Sequence, residues 1–128
     1  MKVLALDYGA ARTGVAVSDP TGTLARPLGV IERAGSETGL QELADLVRTE
    51  EVERVVVGLP LTLRGERGEQ AAETERFAEA LSEVLEVPVD RFDERFTTTL
   101  AGPGTGEDAR AAAHLLTSYL EWSKSRRH

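Results

Sequence analysis

The sequence predicts a single α/β domain over residues 1–128, with five strands in one mixed sheet, three of them an antiparallel meander and two parallel, flanked by helices. Three observations predict it. Val3 to Leu6 is a nearly unbroken apolar run ending at Asp7, as expected of a central strand covered on both faces. Two further extended stretches follow after connections of only a few residues, which favours a meander. Beyond Ile31 helical and strand patterns alternate, the order that right-handed parallel crossovers need.

The elements follow in turn. After the Tyr8 to Arg12 turn, Gly14 to Ser18 alternates around Val15 and Val17, and a third stretch after Gly22 runs through Leu24, Leu28, Val30 and Ile31. From Gly35 the period becomes helical, with Leu40, Leu43, Ala44 and Val47 behind candidate caps Ser36 and Thr38. Val52 to Leu59 is β-branched and apolar, hence a buried strand, and Pro60 to Gly68 carries the breakers of a loop. A second helix shows an apolar stripe of Phe77, Leu81, Val84 and Leu85 opposite Glu73, Glu75, Glu79 and Glu83. Val87 to Phe92 forms a fifth strand ending at Asp93 and Glu94. Gly102, Pro103, Gly104 and Gly106 then break the chain before a last helix that begins near Asp108 and buries Ala112, Leu115, Leu116, Tyr119 and Leu120.

A chain of 128 residues buries enough surface to fold without staples. Cysteine is absent and the two histidines are His114 and His128, so thiolate and multi-histidine zinc sites are excluded. His114 lies on a largely apolar helical turn and reads as a packed side chain. Any catalytic metal must sit on oxygen, which selects hard ions such as Mg2+ or Mn2+. The net charge of −7 argues against a wholly basic nucleic-acid coat, although Arg12, Arg26, Arg64, Arg67, Arg95, Lys124, Arg126 and Arg127 could form a local basic rim or a solvated surface. The aromatics are few and dispersed along the chain, so no stacking platform is evident. The N-terminal residues enter a strand directly, and the apolar runs are far shorter than the roughly 18 residues of a membrane span; a cytoplasmic protein with no membrane partner is expected.

Three acids could carry chemistry. Asp7 closes the first strand before Gly9 and Gly14, where it either meets a metal or phosphate at the sheet edge or caps an ordinary hairpin. Asp93 and Glu94 close the fifth strand beside Arg95, Thr97 and Thr98. Adjacent strand residues face opposite ways, so one acid of the two can share a site with Asp7; a helix start capped by Thr97 or Thr98 is the plainer reading. Asp108 heads the last helix, where an acid also serves as a simple cap.

Taken together, Leu6-Asp7-Tyr8-Gly9 with Arg12 and Gly14, Val57-Gly58-Leu59-Pro60 with Gly65 and Gly68, Asp93-Glu94-Arg95 with Thr97-Thr98, and Asp108 ahead of Ala112 and Ser118-Tyr119-Leu120 resemble the YqgF/RuvX family over nearly the whole chain. The resemblance implies a ribonuclease-H-like fold related to the RuvC resolvases and a bacterial nuclease acting on the 5′ end of pre-16S ribosomal RNA or on four-way DNA junctions. It also implies that Asp7, Glu94 and Asp108 are the catalytic, metal-holding carboxylates. Two departures stand out. The second acid follows the fifth strand, not the fourth, so a glutamate must span one more strand width of about 4.8 Å. Gly102 to Glu107 is shorter than the often basic insertion of family members.

If the acids converge, the chemistry expected is phosphodiester hydrolysis with two ions about 3.5–4 Å apart, Asp7 bridging both and Glu94 and Asp108 completing one shell each. Arg12 and Arg95 would then hold a phosphate, or pair with nearby acids; Arg64 and Arg67, set among Gly65 and Gly68, form a basic loop that crosses a nucleic-acid backbone or is plain surface. Thr97 and Thr98 belong to the same expected substrate contacts. Two other classes remain open: a sugar-kinase or actin-like ATPase, which needs two such domains, and a silent nucleic-acid-binding module. A monomer or weak homodimer is expected, with Leu115, Tyr119 and Trp122 of the last helix as interface or core.

Overall fold

Five strands, β1 (Val3–Asp7), β2 (Arg12–Ser18), β3 (Ala25–Glu32), β4 (Arg54–Leu59) and β5 (Val89–Asp93), form one sheet in the order β3-β2-β1-β4-β5. The structure, a computed structural model, describes residues 1–61, 68–96 and 109–125. β1 to β3 are the expected meander: Leu4 faces Val17 and Asp7 faces Gly14 in the first antiparallel pair, and Val17 faces Arg26 in the second. β4 and β5 are parallel additions on the other side of β1, with Leu6 opposite Val57 and Gly58 opposite Phe92.

Strand parity divides the core between two layers. Leu4, Leu6, Val15, Val17, Val55 and Val57 point to one face, where they are covered by Leu43 and Val47 of α1 (Glu37–Thr49) and by Phe77, Ala78 and Leu81 of α2 (Glu69–Val84). Val3, Ala5, Ala16, Val56 and Phe92 point to the other, against Ala112, Leu115, Leu116, Tyr119 and Leu120 of α3 (Ala109–Ser125). Each fully buried leucine or valine contributes about 1.5–3 kcal/mol, so burial of β1 and β4 on both faces anchors the sheet at its centre. Among the described residues no helix is long and apolar enough to cross a membrane.

Three local features settle or shift the sequence expectation. Of the two candidate caps, Ser36 is the one used: its Oγ accepts from Gly39 N at 3.0 Å, while Thr38 lies inside α1. The expected stripe of α2 shifts toward its N-terminus, burying Ala71, Thr74, Phe77, Ala78 and Leu81. Val84 is 45% exposed, because the helix ends there and Leu85, extended at φ −98° and ψ 150°, takes the core position instead. Leu24, expected in the third strand, precedes it and is exposed. β3 itself carries a register shift opposite Val15 and Ala16, where Gly29 adopts φ +156° and Pro27 sits on an edge strand that tolerates its missing N–H.

Candidate active site

Asp7 and Glu94 meet on the α3 side of the sheet. Alternation along β1 places Val3 and Ala5 in the α3 layer, and Asp7 continues that series at the carboxyl end of the strand, 7% exposed. On β5 the same face carries Asp90, which accepts from Tyr119 of α3, and Phe92; Glu94, the next residue of that parity, opens a short 3₁₀ turn (Glu94–Phe96). The Glu94 and Asp7 side chains are hydrogen-bonded to each other across β4.

Burial raises the Glu94 pKa above the ordinary carboxylate range, the hydrogen bond with Asp7 opposes that rise, and the Asp93 charge adds to it. Two hydrogen-bonded carboxyls cannot both be anionic without a compensating positive charge. A proton or a cation must sit between them, and an all-oxygen donor pair fits a hard divalent ion. The floor beneath Glu94 is Gly58 of β4. A Cβ on that glycine would stand 2.6 Å from Glu94 Oε1, 3.0 Å from its Cγ and 3.0 Å from Leu115 Cδ2.

The chain just beyond Asp7 is also fixed. The Tyr8 ring stacks on Phe77 of α2 with centroids 4.4 Å apart, and the Thr13 hydroxyl donates to Gly9 O at 3.4 Å, which closes the turn into β2. The aspartate is thus held by elements on both sides of the sheet.

Of the other expected site residues, Asp93 faces away from this pair. It has the parity of Arg91, whose Nε donates to Glu75 of α2, and it accepts from Arg95 Nη2 at 2.6 Å and from Arg95 N at 2.9 Å. Those bonds hold the Asp93 pKa below the usual range. For Arg95 the acid-pairing alternative is therefore the one realised. Arg12 opens β2, exposed, opposite Glu32 in the β2–β3 register. Asp108, Arg64, Arg67, Thr97 and Thr98 lie outside the described residues, and among the described residues no group of three metal-ligating side chains occurs. α3 passes Gly58 through Leu115 and lines a cleft with Val3 through Tyr119 and Leu120, so it runs from the carboxyl edge of the sheet toward the amino edge.

Sequence reasoning missed two things here. The aromatics, dispersed along the chain, are gathered in space in two groups: Phe92 lies 5.6 Å from both Tyr119 and Trp122 in the α3 layer, and Tyr8 meets Phe77 of α2 on the other face of the sheet. Leu115 and Tyr119 are core, and of the suggested interface residues Trp122 remains 41% exposed. Gly58 was the other omission. A glycine interrupting a β-branched run is itself a signal of close approach.

This architecture is that of the ribonuclease-H-like resolvases. It superposes on Thermus thermophilus RuvC solved with a Holliday junction substrate at TM-score 0.60, with 17% identity and 96% of each chain covered. The fowlpox virus Holliday junction resolvase follows at TM-score 0.54 and 12% identity, over 95% of this chain and 99% of that one. At those identities the likeness is one of fold. Residues 1–122 match the family described as RuvX, Holliday junction resolvase, and the chain belongs to that family. Among its relatives, a Syntrophomonas wolfei protein is 38% identical over 133 residues, covering 94% of both chains. A Chloroflexus aurantiacus protein is 50% identical over 99 residues, which are 77% of this chain but 65% of that relative's length. Both are named, provisionally, pre-16S rRNA nucleases.

Proposed function

We propose that this chain is a metal-dependent endonuclease that hydrolyses nucleic-acid phosphodiesters and acts in the cytoplasm on the 5′ end of pre-16S rRNA. The observation that carries the reading is the Asp7–Glu94 pair: two acids from non-adjacent strands, brought together at the carboxyl edge of the sheet in a setting that disfavours two bare negative charges. The names of the relatives supply the substrate.

Asp7, Glu94 and Asp108 are the residues that would hold Mg2+ or Mn2+. Such ions, when bound, activate water and stabilise the leaving oxygen. The protein's own part is positioning. Burial of β1 and the Tyr8–Phe77 stack fix Asp7, and the β5 end with its 3₁₀ turn aims Glu94. Arg12 is exposed at the start of β2, a strand end next to Asp7 in the meander, where its planar fork suits a phosphate. Arg95 would contact substrate on leaving Asp93, and Arg64, Arg67, Thr97 and Thr98 complete the proposed contacts.

A second reading, resolution of four-way DNA junctions by a homodimer, is favoured by the family's description. Cleavage of pre-16S rRNA and of a four-way junction, side by side with Mg2+ and with Mn2+, decides between them. Metal-dependent cleavage of the RNA alone supports the first reading, cleavage of the junction alone supports the second, and cleavage of neither overturns both.

A further inference from the structure

We infer that Gly58 is a positioning residue for the acid pair, the one place on β4 where the backbone is bare so that Glu94 can cross the strand and reach Asp7. The inference rests on the metal-site reading above and adds a residue to it. β4 separates β1 from β5, so the two acids start roughly two strand spacings apart, about 10 Å. Leu6 pairs with Val57, which puts Gly58 beside Asp7 in the next row, and Gly58 pairs with Phe92, two residues short of Glu94. Gly58 has the parity of Val56, so any side chain there would project into the α3 layer, under Glu94.

The slot is closed from above as well as below. Leu115 Cδ2 lies 3.0 Å from where a Cβ would be, Glu94 Cγ at 3.0 Å and Glu94 Oε1 at 2.6 Å. Leu115 is 2% exposed and packed, so the Glu94 carboxylate is the group most free to yield. Even one methyl group at position 58 therefore turns the Glu94 carboxylate aside, away from Asp7. The residues before it, Val55, Val56 and Val57, are each fully buried, so the sheet centre is packed by β-branched side chains up to the glycine. Glycine in a strand interior lowers stability, and its presence here is accounted for by the site.

The test uses Mn2+ alone as the probe, its free concentration read by electron paramagnetic resonance, on the full chain and on Gly58→Ala, Glu94→Gln and the double variant. Gly58→Ala should melt close to the wild type yet bind Mn2+ about 10–100-fold more weakly, the loss typical when a group that orients a ligand is changed. Because the glycine acts through Glu94, the double variant should bind no more weakly than Glu94→Gln. A folded Gly58→Ala protein with wild-type affinity, or losses that add in the double variant, overturns the inference while the metal site stands. A wild type that binds no Mn2+ at millimolar concentration overturns the metal reading and this inference with it. Should Gly58→Ala fail to fold, Gly58→Ala/Leu115→Ala removes the contact with Leu115 but leaves the new Cβ 2.6 Å from Glu94 Oε1, so wild-type affinity in that protein would overturn the inference equally.

Discussion

Asp93 and Glu94, adjacent in sequence, project to opposite faces of the sheet, one into an ion pair with Arg95 and the other onto Asp7. Their loss should therefore be unequal. Glu94→Gln removes a proposed ligand and should lower cleavage by more than about 100-fold, the upper end for residues that only orient ligands. Asp93→Asn frees Arg95 and should stay within about tenfold of the wild type. Single-turnover cleavage of both variants checks the order, and a reversal would assign the site to the wrong acid.

Asp7→Asn should abolish cleavage without unfolding the protein. Asp7 is buried at the end of a strand packed on both faces, and an amide of the same shape keeps that packing without adding a charge. Without metal, its melting temperature should equal or exceed that of the wild type. Adding Mn2+ should raise the melting temperature of the wild type, since a ligand of the folded state stabilises it, and leave that of Asp7→Asn unmoved. A Mn2+ shift of equal size in both proteins would place the ion elsewhere.

Much of this was legible from residue order. The apolar run of β1, the short meander turns and the helical periods sufficed for the sheet and its helices, since each is a local pattern tied to one structure. Parity made Glu94 or Asp93 a strict alternative, and the resemblance favoured the one the geometry brings to Asp7. What sequence could not supply was contact across elements. The clustering of Phe92, Tyr119 and Trp122 depends on how α3 crosses β5, the β3 bulge on a register shift, and the space above Gly58 on Leu115, which lies 57 positions along the chain.

The start of α1 should be unusually sensitive. Ser36→Ala removes the Oγ that accepts from Gly39 N and should cost about 1 kcal/mol. Gly39→Ala should cost more, because its Cβ would press on the backbone of the preceding turn, at 2.6 Å from Ala34 Cα and against the Arg33 carbonyl oxygen. Backbone cannot swing aside as a side chain can. Urea denaturation of the two variants checks the ranking, and a Gly39→Ala protein as stable as the wild type would contradict the packing described.

The last expectation concerns alkaline stability. The Tyr119 hydroxyl of α3 donates to Asp90 Oδ2 on β5 at 2.8 Å, and Arg54 Nη1 of β4 donates to the same oxygen at 2.6 Å, so one carboxylate ties three elements together. Burial, then the hydrogen bond to Asp90 and its charge, push the Tyr119 pKa from 10.0 up to about 12. A folded pKa raised above the unfolded one stabilises the native state fully below the unfolded value and loses that contribution as pH rises through the folded one. The window here lies between 10.0 and about 12. Tyr119→Phe keeps the ring contacts with Phe92 and Trp122 but loses the donor, and should cost about 1 kcal/mol near neutrality. In urea titrations the gap between the two proteins should be constant up to the lower limit of that window and close as pH climbs through it. A gap that stays constant across the window would show that the hydroxyl contributes nothing through Asp90.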